Sequence, residues 1–305
     1  MKKRILYVSC HKYLQEDETK LFIELGYDVV VKGFNEPFEK EFIKVFDIII
    51  VMWMPKWVEE NWESIKDKVV IMRTIGQSTE QNELEMKPLK EKGMKIVRYS
   101  PMERNIPSYC GENATIRFYK DPKEWRDWNG RNDKVINVTQ SMFQRKDYCG
   151  YQPFMDATEG MPRKIYGHNN SPMGELWGGE LSRKNLKKVY RDNRVYFYTG
   201  TQPASYTLNF MEALMTGIPI VAIGSKLGNP HFSDQNVYEI PNIIQQGVNG
   251  FFSDDIGELR YMIIKYLKDY DQAKRIGEAG RKTAIELFGK ENIKKEWEKF
   301  LNECN

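Results

Sequence analysis

The sequence predicts an α/β protein of two parallel-sheet domains, and three observations predict it. Short apolar runs alternate with helical stretches from Arg4 to Tyr99 and again from Val135 to Leu301. The stretch Tyr198 to Ile223, YTGTQPASYTLNFMEALMTGIPIVAI, reads as strand, loop, helix, glycine stop and strand, the βαβ element of a doubly wound sheet. Between the halves lies FYKDPKEWRDWNGR, Phe118 to Arg131, a polar and aromatic run with Pro and Gly that reads as a hinge. At 305 residues the chain is long enough for two domains of ordinary size.

In the first half, Arg4–Ser9 reads as a strand, followed by a loop from His11 to Leu14 and a helix from Thr19 to Leu25 that stops at Gly26. Tyr27–Lys32, Asp47–Trp53, Val69–Arg73 and Lys95–Tyr99 are the next strands. Helical stretches separate them: Glu36–Val45, Trp57–Ile65 and the charged turn Pro88–Lys92, which Gly93 stops. In the second half Val135–Val138, Arg163–Tyr166, Val195–Tyr198 and Ile218–Ile223 are strands. Leu181–Asp192 is a basic helix, and Leu208–Met215 is a compact apolar one that carries Glu212. Gly217 ends that helix in a left-handed cap, and Pro219 cannot continue it. Gly247 to Phe251, with its Asn-Gly pair, reads as a hairpin-like turn. Asp255–Leu267, Gln272–Leu287 and Phe288–Leu301 are helices.

Composition excludes several classes. With 41% apolar and 29% charged residues the chain is globular rather than disordered. A net charge of +3 is too small to imply a nucleic-acid partner. Cys10, Cys110, Cys149 and Cys304 have neither CxxC nor metal-ligand spacing, which fits thiols in a reducing cytosol. The apolar run Ile5–Val8 after the basic start is too short for a signal peptide, and no stretch approaches the length of a membrane helix. No GxGxxG follows the first strand, which argues against a dehydrogenase. Asp269-Tyr270-Asp271 lies between two helices rather than after a strand, so it reads as a solvated turn and not a metal site.

Some residues carry chemistry by position. The loop from Thr199 to Thr207 delivers free backbone N–H groups to a helix N-terminus, a ready place for phosphate. After the Val135–Val138 strand, Thr139 to Lys146 brings Arg145, whose planar fork suits phosphate oxygens, and the further charge of Lys146. A surface basic pair is the simpler reading of that segment alone. Gly167-His168-Asn169-Asn170 is a turn rich in residues that tolerate left-handed backbone, where His168 either contacts a ligand or steadies the turn. Trp53, Trp57, Trp62, Trp125 and Trp128 serve core packing or a sugar-stacking face.

Glu212-Ala213-Leu214 followed by Gly217-Ile218-Pro219-Ile220-Val221-Ala222 resembles the second half of the nucleotide-sugar signature of GT-B glycosyltransferases, retaining family 4 in particular. The first half departs from it: Ala204 stands where a leading Glu belongs, Tyr206 and Thr207 replace Phe and Gly, Leu208 matches, and Asn209 replaces Pro. Gly247–Phe251 and the closing helix resemble the end of the same fold. The match covers Val135–Leu301, and the first half only by topology.

The resemblance implies two Rossmann-like domains facing a cleft: an acceptor-side domain over 1–130, a nucleotide-sugar domain over 131–287, and a helix over 288–305 crossing back to the first. It implies transfer of a sugar, a hexose above all, from a nucleotide diphosphate sugar, taken to be a UDP-sugar, to an acceptor hydroxyl, with retention and without metal or other cofactor. Glu212 would hold the ribose. Tyr206, Thr207, Leu208, Asn209, Gly167, His168 and Gln140 would line the donor. Arg145 and Lys146 would serve catalysis at the diphosphate. Apart from the resemblance, His11, the only histidine of the first half, is a catalytic candidate that site geometry would have to confirm, since the family's histidine after a middle strand is absent at Met52-Trp53-Met54-Pro55. On the acceptor side the resemblance points to the loops after the first-half strands, with Arg73 and Gln77. The acceptor stays open between glycan, lipid, protein and modified nucleic acid, and the location is cytoplasmic or peripheral to a membrane. A nucleotide-sugar binder without transferase activity is the alternative reading, and a nucleotide-sugar epimerase of the same fold a further one.

Overall fold

The computed structural model describes residues 2–37 and 39–304. The chain divides into two compact units, one of residues 1–119 with 290–305 and the other of 120–289. Among the described residues no helix is long and apolar enough to cross a membrane.

Unit 1 holds β1 (Arg4–Ser9), β2 (Asp28–Gly33), β3 (Ile48–Met52), β4 (Val69–Arg73), β5 (Lys95–Arg98) and β6 (Ala114–Thr115), in the order β2-β1-β3-β4-β5-β6. All neighbours run parallel. Such a sheet is buried on both faces, which is why β1 and β3 are apolar at almost every position. On one face Leu6, Val8, Ile49, Val51 and Met72 pack with Val58 and Ile65 of helix Pro55–Ile65 and with Met86 and Leu89 of helix Glu80–Glu91. The other face takes Phe22 of helix Lys12–Glu24 and Trp297 of helix Lys290–Glu303, whose rings meet edge to face at 5.0 Å. Ile293, Trp297, Phe300 and Leu301 are the buried positions of the closing helix, spaced for one helical face. Lys290 and Lys294 both pair with Glu24.

The first helix begins at Lys12, earlier than the pattern suggests, because His11 caps it: its Nδ1 accepts from the Leu14 N–H at 3.4 Å. Pro88 lies inside helix Glu80–Glu91, which therefore extends well before the turn read from sequence.

Unit 2 holds β7 (Asn132–Val138), β8 (Arg163–Tyr166), β9 (Asn193–Tyr198), β10 (Ile220–Ile223) and β11 (Phe251–Ser253), all parallel, in the order β11-β10-β9-β7-β8. Residues 120–130, read as part of a hinge, pack within this unit. Trp128 stacks on Tyr270 at 5.6 Å and donates to the Asn193 carbonyl, and Arg281 donates to the carbonyls of Pro122 and Trp125. The first and last residues of the unit run side by side, Lys120 N–H donating to the Phe288 carbonyl at 2.9 Å. Gly247–Phe251 makes no hairpin. It leads into β11, which pairs parallel to β10, while Asn249 turns inward to donate to Ile243 O and Thr283 Oγ1. Asp269 caps helix Tyr270–Phe288 by accepting from Gln272 N–H at 2.9 Å. Gly217, at φ +89°, closes helix Leu208–Thr216 in the left-handed cap.

Unit 1 buries a connected network of charge. Arg98 makes a two-point contact with Glu83 at 2.5 and 2.7 Å and lies 3.7 Å from Glu103. Glu103 also accepts from Thr74 Oγ1 at 2.8 Å and from the Tyr99 N–H at 3.0 Å. Burial outweighs these partners and raises the Glu103 carboxyl to about 7. A carboxyl raised on folding stabilises fully below its unfolded pKa of about 4.3, and that stability is lost as pH climbs through about 7, up to about 3 kcal/mol. Denaturant midpoints of the parent and of Glu103→Gln, which keeps the acceptor, should therefore match near pH 4 and diverge in favour of the variant by pH 8. Parallel profiles across that range would show that Glu103 is ionised throughout.

Candidate active site

The order β8-β7-β9 puts the reversal of strand sequence between β7 and β9. In doubly wound sheets the crevice at that reversal, beyond the carboxyl ends of the strands, takes the ligand. Three segments border it: Thr139–Arg145 after β7, Gly167–Asn170 after β8, and Thr199–Thr207 after β9.

These segments are fastened to one another by buried or half-buried carboxamides. Asn137, fully buried on β7, donates to the Phe197 carbonyl at 2.9 Å and to Thr199 Oγ1 at 3.0 Å, and accepts from Thr139 Oγ1 at 2.7 Å. Asn170, also fully buried, donates to the Thr139 carbonyl at 2.7 Å and accepts from the Phe143 N–H at 3.2 Å. Asn209, on the first turn of helix Leu208–Thr216, donates to the Val138 carbonyl at 2.5 Å and so sets that helix end over the end of β7. No side chain caps the helix at Thr207. Its first N–H groups and the positive end of its dipole are therefore open to an anion.

Gly167 is required where it stands. Its φ is +130°, and a Cβ there would meet the Thr139 carbonyl oxygen at 2.5 Å. His168 is exposed and pairs with Glu180, and its carbonyl accepts from Ser141 N–H. Gln140 is exposed beside it. Arg145 ends the short helix Met142–Arg145, half-buried, and exposed Lys146 follows at φ 36°. Arg145 lies near Cys149: burial pushes that thiol up, against the pull of the Arg145 charge. The Cys149 carbonyl in turn accepts from Thr199 Oγ1 at 2.7 Å. Tyr206 is buried against Phe288, with ring centroids 5.1 Å apart, while Thr207, Leu208 and Asn209 are half-buried. The structure thus places Gln140, Arg145, Lys146, Gly167, His168, Thr207, Leu208 and Asn209 on segments beyond the carboxyl ends of β7, β8 and β9.

Glu212 is placed one turn further along the helix, buried, with Oε1 2.9 Å from Lys120 Nζ. Lys120 is itself 1% exposed and lies over the Trp125 ring. This partner comes from the segment read as a hinge, and nothing in local spacing pointed to it. Glu212 also adds to burial in raising the Tyr190 and Tyr196 hydroxyls, so its carboxylate faces that aromatic cluster.

The other sequence candidates belong to unit 1. His11 is the helix cap described above. Gln77 is exposed at φ 75° in the loop after β4. Arg73, assigned to the acceptor side, is fully buried instead. Its Nε meets Glu18 at 2.9 Å, one terminal nitrogen donates to the Arg98 and Ile116 carbonyls, and the guanidinium lies 4.0 Å over Phe118. A guanidinium in an apolar interior must be paired in this way, and the pairing turns it away from solvent. Among the described residues no group of three or more His, Cys, Asp or Glu is arranged to hold a metal ion.

No protein-family model matches the chain. Among curated proteins, 63 residues match the GtfA subunit of the UDP-N-acetylglucosamine–peptide N-acetylglucosaminyltransferase of Streptococcus agalactiae at 36% identity, covering 20% of this chain and only 12% of that protein. Solved structures match over nearly the whole length. Anabaena HepE in complex with UDP and glucose aligns over 99% of this chain and 100% of its own, with TM-score 0.72 and 13% identity. Sucrose-phosphate synthase from Thermosynechococcus elongatus covers 99% of both chains at TM-score 0.74 and 14% identity. A glycosyltransferase from Rickettsia africae covers 99% of this chain and 98% of its own at TM-score 0.74 and 12% identity. The chain has the GT-B fold, and the structures that share it here are glycosyltransferases.

Removing the Glu212 carboxylate takes from a buried ammonium its 2.9 Å partner. Glu212→Ala should therefore cost about 3–5 kcal/mol of unit 2 stability, and Lys120→Met/Glu212→Leu should recover most of it. Chemical denaturation of the three proteins measures this, and a double variant no more stable than Glu212→Ala would show that the loss does not come from an unpaired Lys120.

Proposed function

We propose that the protein is a glycosyltransferase that moves a hexose from a nucleotide diphosphate sugar, a UDP-sugar, to an acceptor hydroxyl, with retention and without a metal ion. One observation carries this: the uncapped helix end at Thr207 and the basic pair Arg145–Lys146 both lie beyond the carboxyl ends of the strands, at the reversal between β7 and β9. A leaving nucleoside diphosphate gains negative charge as the glycosidic bond lengthens and an oxocarbenium-like centre forms. Arg145, Lys146 and the helix dipole supply positive charge for it. The HepE structure, solved with UDP and glucose, supports uridine as the base. The family-4 resemblance of Glu212 to Ala222 supports retention.

In this reading the turn Gly167–Asn170, Gln140, and the run Tyr206 to Asn209 line the donor. Glu212 meets the ribose with an orientation fixed by Lys120. Gln77 remains the acceptor-side candidate of unit 1, and His11, a helix cap, the candidate there for a catalytic role. A second reading, a GT-B-shaped binder without transfer, draws on the commitment of Glu212 to Lys120 and on the small Ala204.

Release of UDP from UDP-glucose, followed by coupled assay with and without an acceptor panel, separates the two readings. Arg145→Ala should lower kcat by about 10²-fold with a smaller change in donor affinity, because the charge it meets grows towards the transition state. Activity should persist in EDTA. Donor binding with no turnover in any acceptor mixture would favour the binder, and an unchanged kcat in Arg145→Ala/Lys146→Ala would remove the charge-stabilisation account.

A further inference from the structure

An exposed aromatic stack adjoins the basic pair and is not accounted for by the site so far. Tyr148 and His231 lie face to face, ring centroids 4.6 Å apart and planes 20° apart, and Phe232 meets Tyr148 edge-on at 6.2 Å. Tyr148 keeps 43% of its surface exposed, and His231 is exposed as well. A flat aromatic surface open to water can take the apolar face of a ligand.

The stack is held from below. Gln202, buried in the loop after β9, donates from Nε2 to the Asp147 carbonyl at 3.0 Å and accepts at Oε1 from the His231 N–H at 3.1 Å. Its own N–H donates to the Tyr148 carbonyl at 2.8 Å. One buried residue thus fixes the backbones that carry both rings, and ties them to the loop that leads into helix Leu208–Thr216. Gln202 is buried with both ends of its amide satisfied, so the backbones that carry the two rings are held in place.

We propose that Tyr148 and His231 form a platform on which the pyranose ring of the donor stacks. The inference rests on the glycosyltransferase reading, since it takes the diphosphate to lie at Arg145 and Lys146. Tyr148 follows Lys146 in the same turn, Lys146–Cys149. The group bonded directly to the far phosphate is the sugar, whereas the base is a full ribose away. A pyranose offers an apolar C–H face to an aromatic ring and hydroxyls at its edge. Exposed Asp147, Ser233 and Asp234 neighbour the two rings along the chain and supply polar groups. Large apolar contact with a few placed polar groups is how small-molecule sites fix orientation.

The test compares UDP with UDP-glucose by calorimetry on the full chain and on Tyr148→Ala, Tyr148→Phe and His231→Ala. The platform predicts that Tyr148→Ala and His231→Ala weaken UDP-glucose about tenfold, leave UDP within about twofold, and that Tyr148→Phe retains parent affinity. Equal losses for UDP and UDP-glucose would place the base, not the sugar, on the stack and overturn the proposal. Unchanged UDP-glucose affinity in both alanine variants would overturn it too, with the glycosyltransferase reading intact. A parent chain that binds neither ligand would overturn that reading and the platform with it.

Discussion

The candidate site depends on side-chain amides. Asn137 links β7 to β9, Asn170 links the turn after β8 to the loop after β7, Asn209 seats a helix end over β7, and Gln202 ties the loop after β9 to Tyr148 and His231. Loops beyond a parallel sheet have no ladder of their own, so their backbone groups must find partners elsewhere. A carboxamide offers two donors and an acceptor in one rigid plane, and it stays neutral when buried. Four of them hold the loop backbone at the crevice in place without placing a fixed charge there. Positive charge is left to Arg145, Lys146 and the open helix end, on the surface where a diphosphate would meet them.

Buried ion pairs serve the same purpose in each unit. In unit 1, Glu18–Arg73 and Glu83–Arg98 cross the interior near the carboxyl ends of β4 and β5, each within hydrogen-bond distance. Such pairs add little net stability, but breaking one is expensive, so they fix arrangement more than they strengthen it. In unit 2 the Lys120–Glu212 pair does the same for the first residue of the unit and the helix that opens onto the crevice. Tyr206 packs on Phe288 near the same crossing point. The segment that enters unit 2 and the one that leaves it are thereby both attached to the candidate donor loop and its helix.

Strands were legible because parallel strands covered on both faces are nearly all apolar: Ile48 to Met52 and Val195 to Tyr198 could be little else. The βαβ element around Gly217 was legible for a local reason, since a left-handed cap followed by Pro219 admits few alternatives. Long-range pairing was not. Arg73 sits at a strand end, where site residues occur, but Glu18 on a distant helix draws it inward. Lys120 lay inside an apparent hinge, and its pairing with Glu212 has no periodic signature. His11 was visible as a lone loop histidine, yet its capping role depends on a helix start that the polar sequence Lys12 to Glu18 conceals. The Tyr148–His231 stack joins two loops, and no spacing rule connects them.

The central claim is that a nucleotide sugar binds in unit 2 beyond β7, β8 and β9. Hydrogen exchange measured by mass spectrometry, with and without saturating UDP-glucose, tests this most directly, because bound ligand slows the amides it touches or orders. The account predicts slowed exchange in residues 139–149, 167–170 and 199–211. Slowed exchange confined to other segments, or no change at ligand concentrations that saturate the HepE protein, would contradict it.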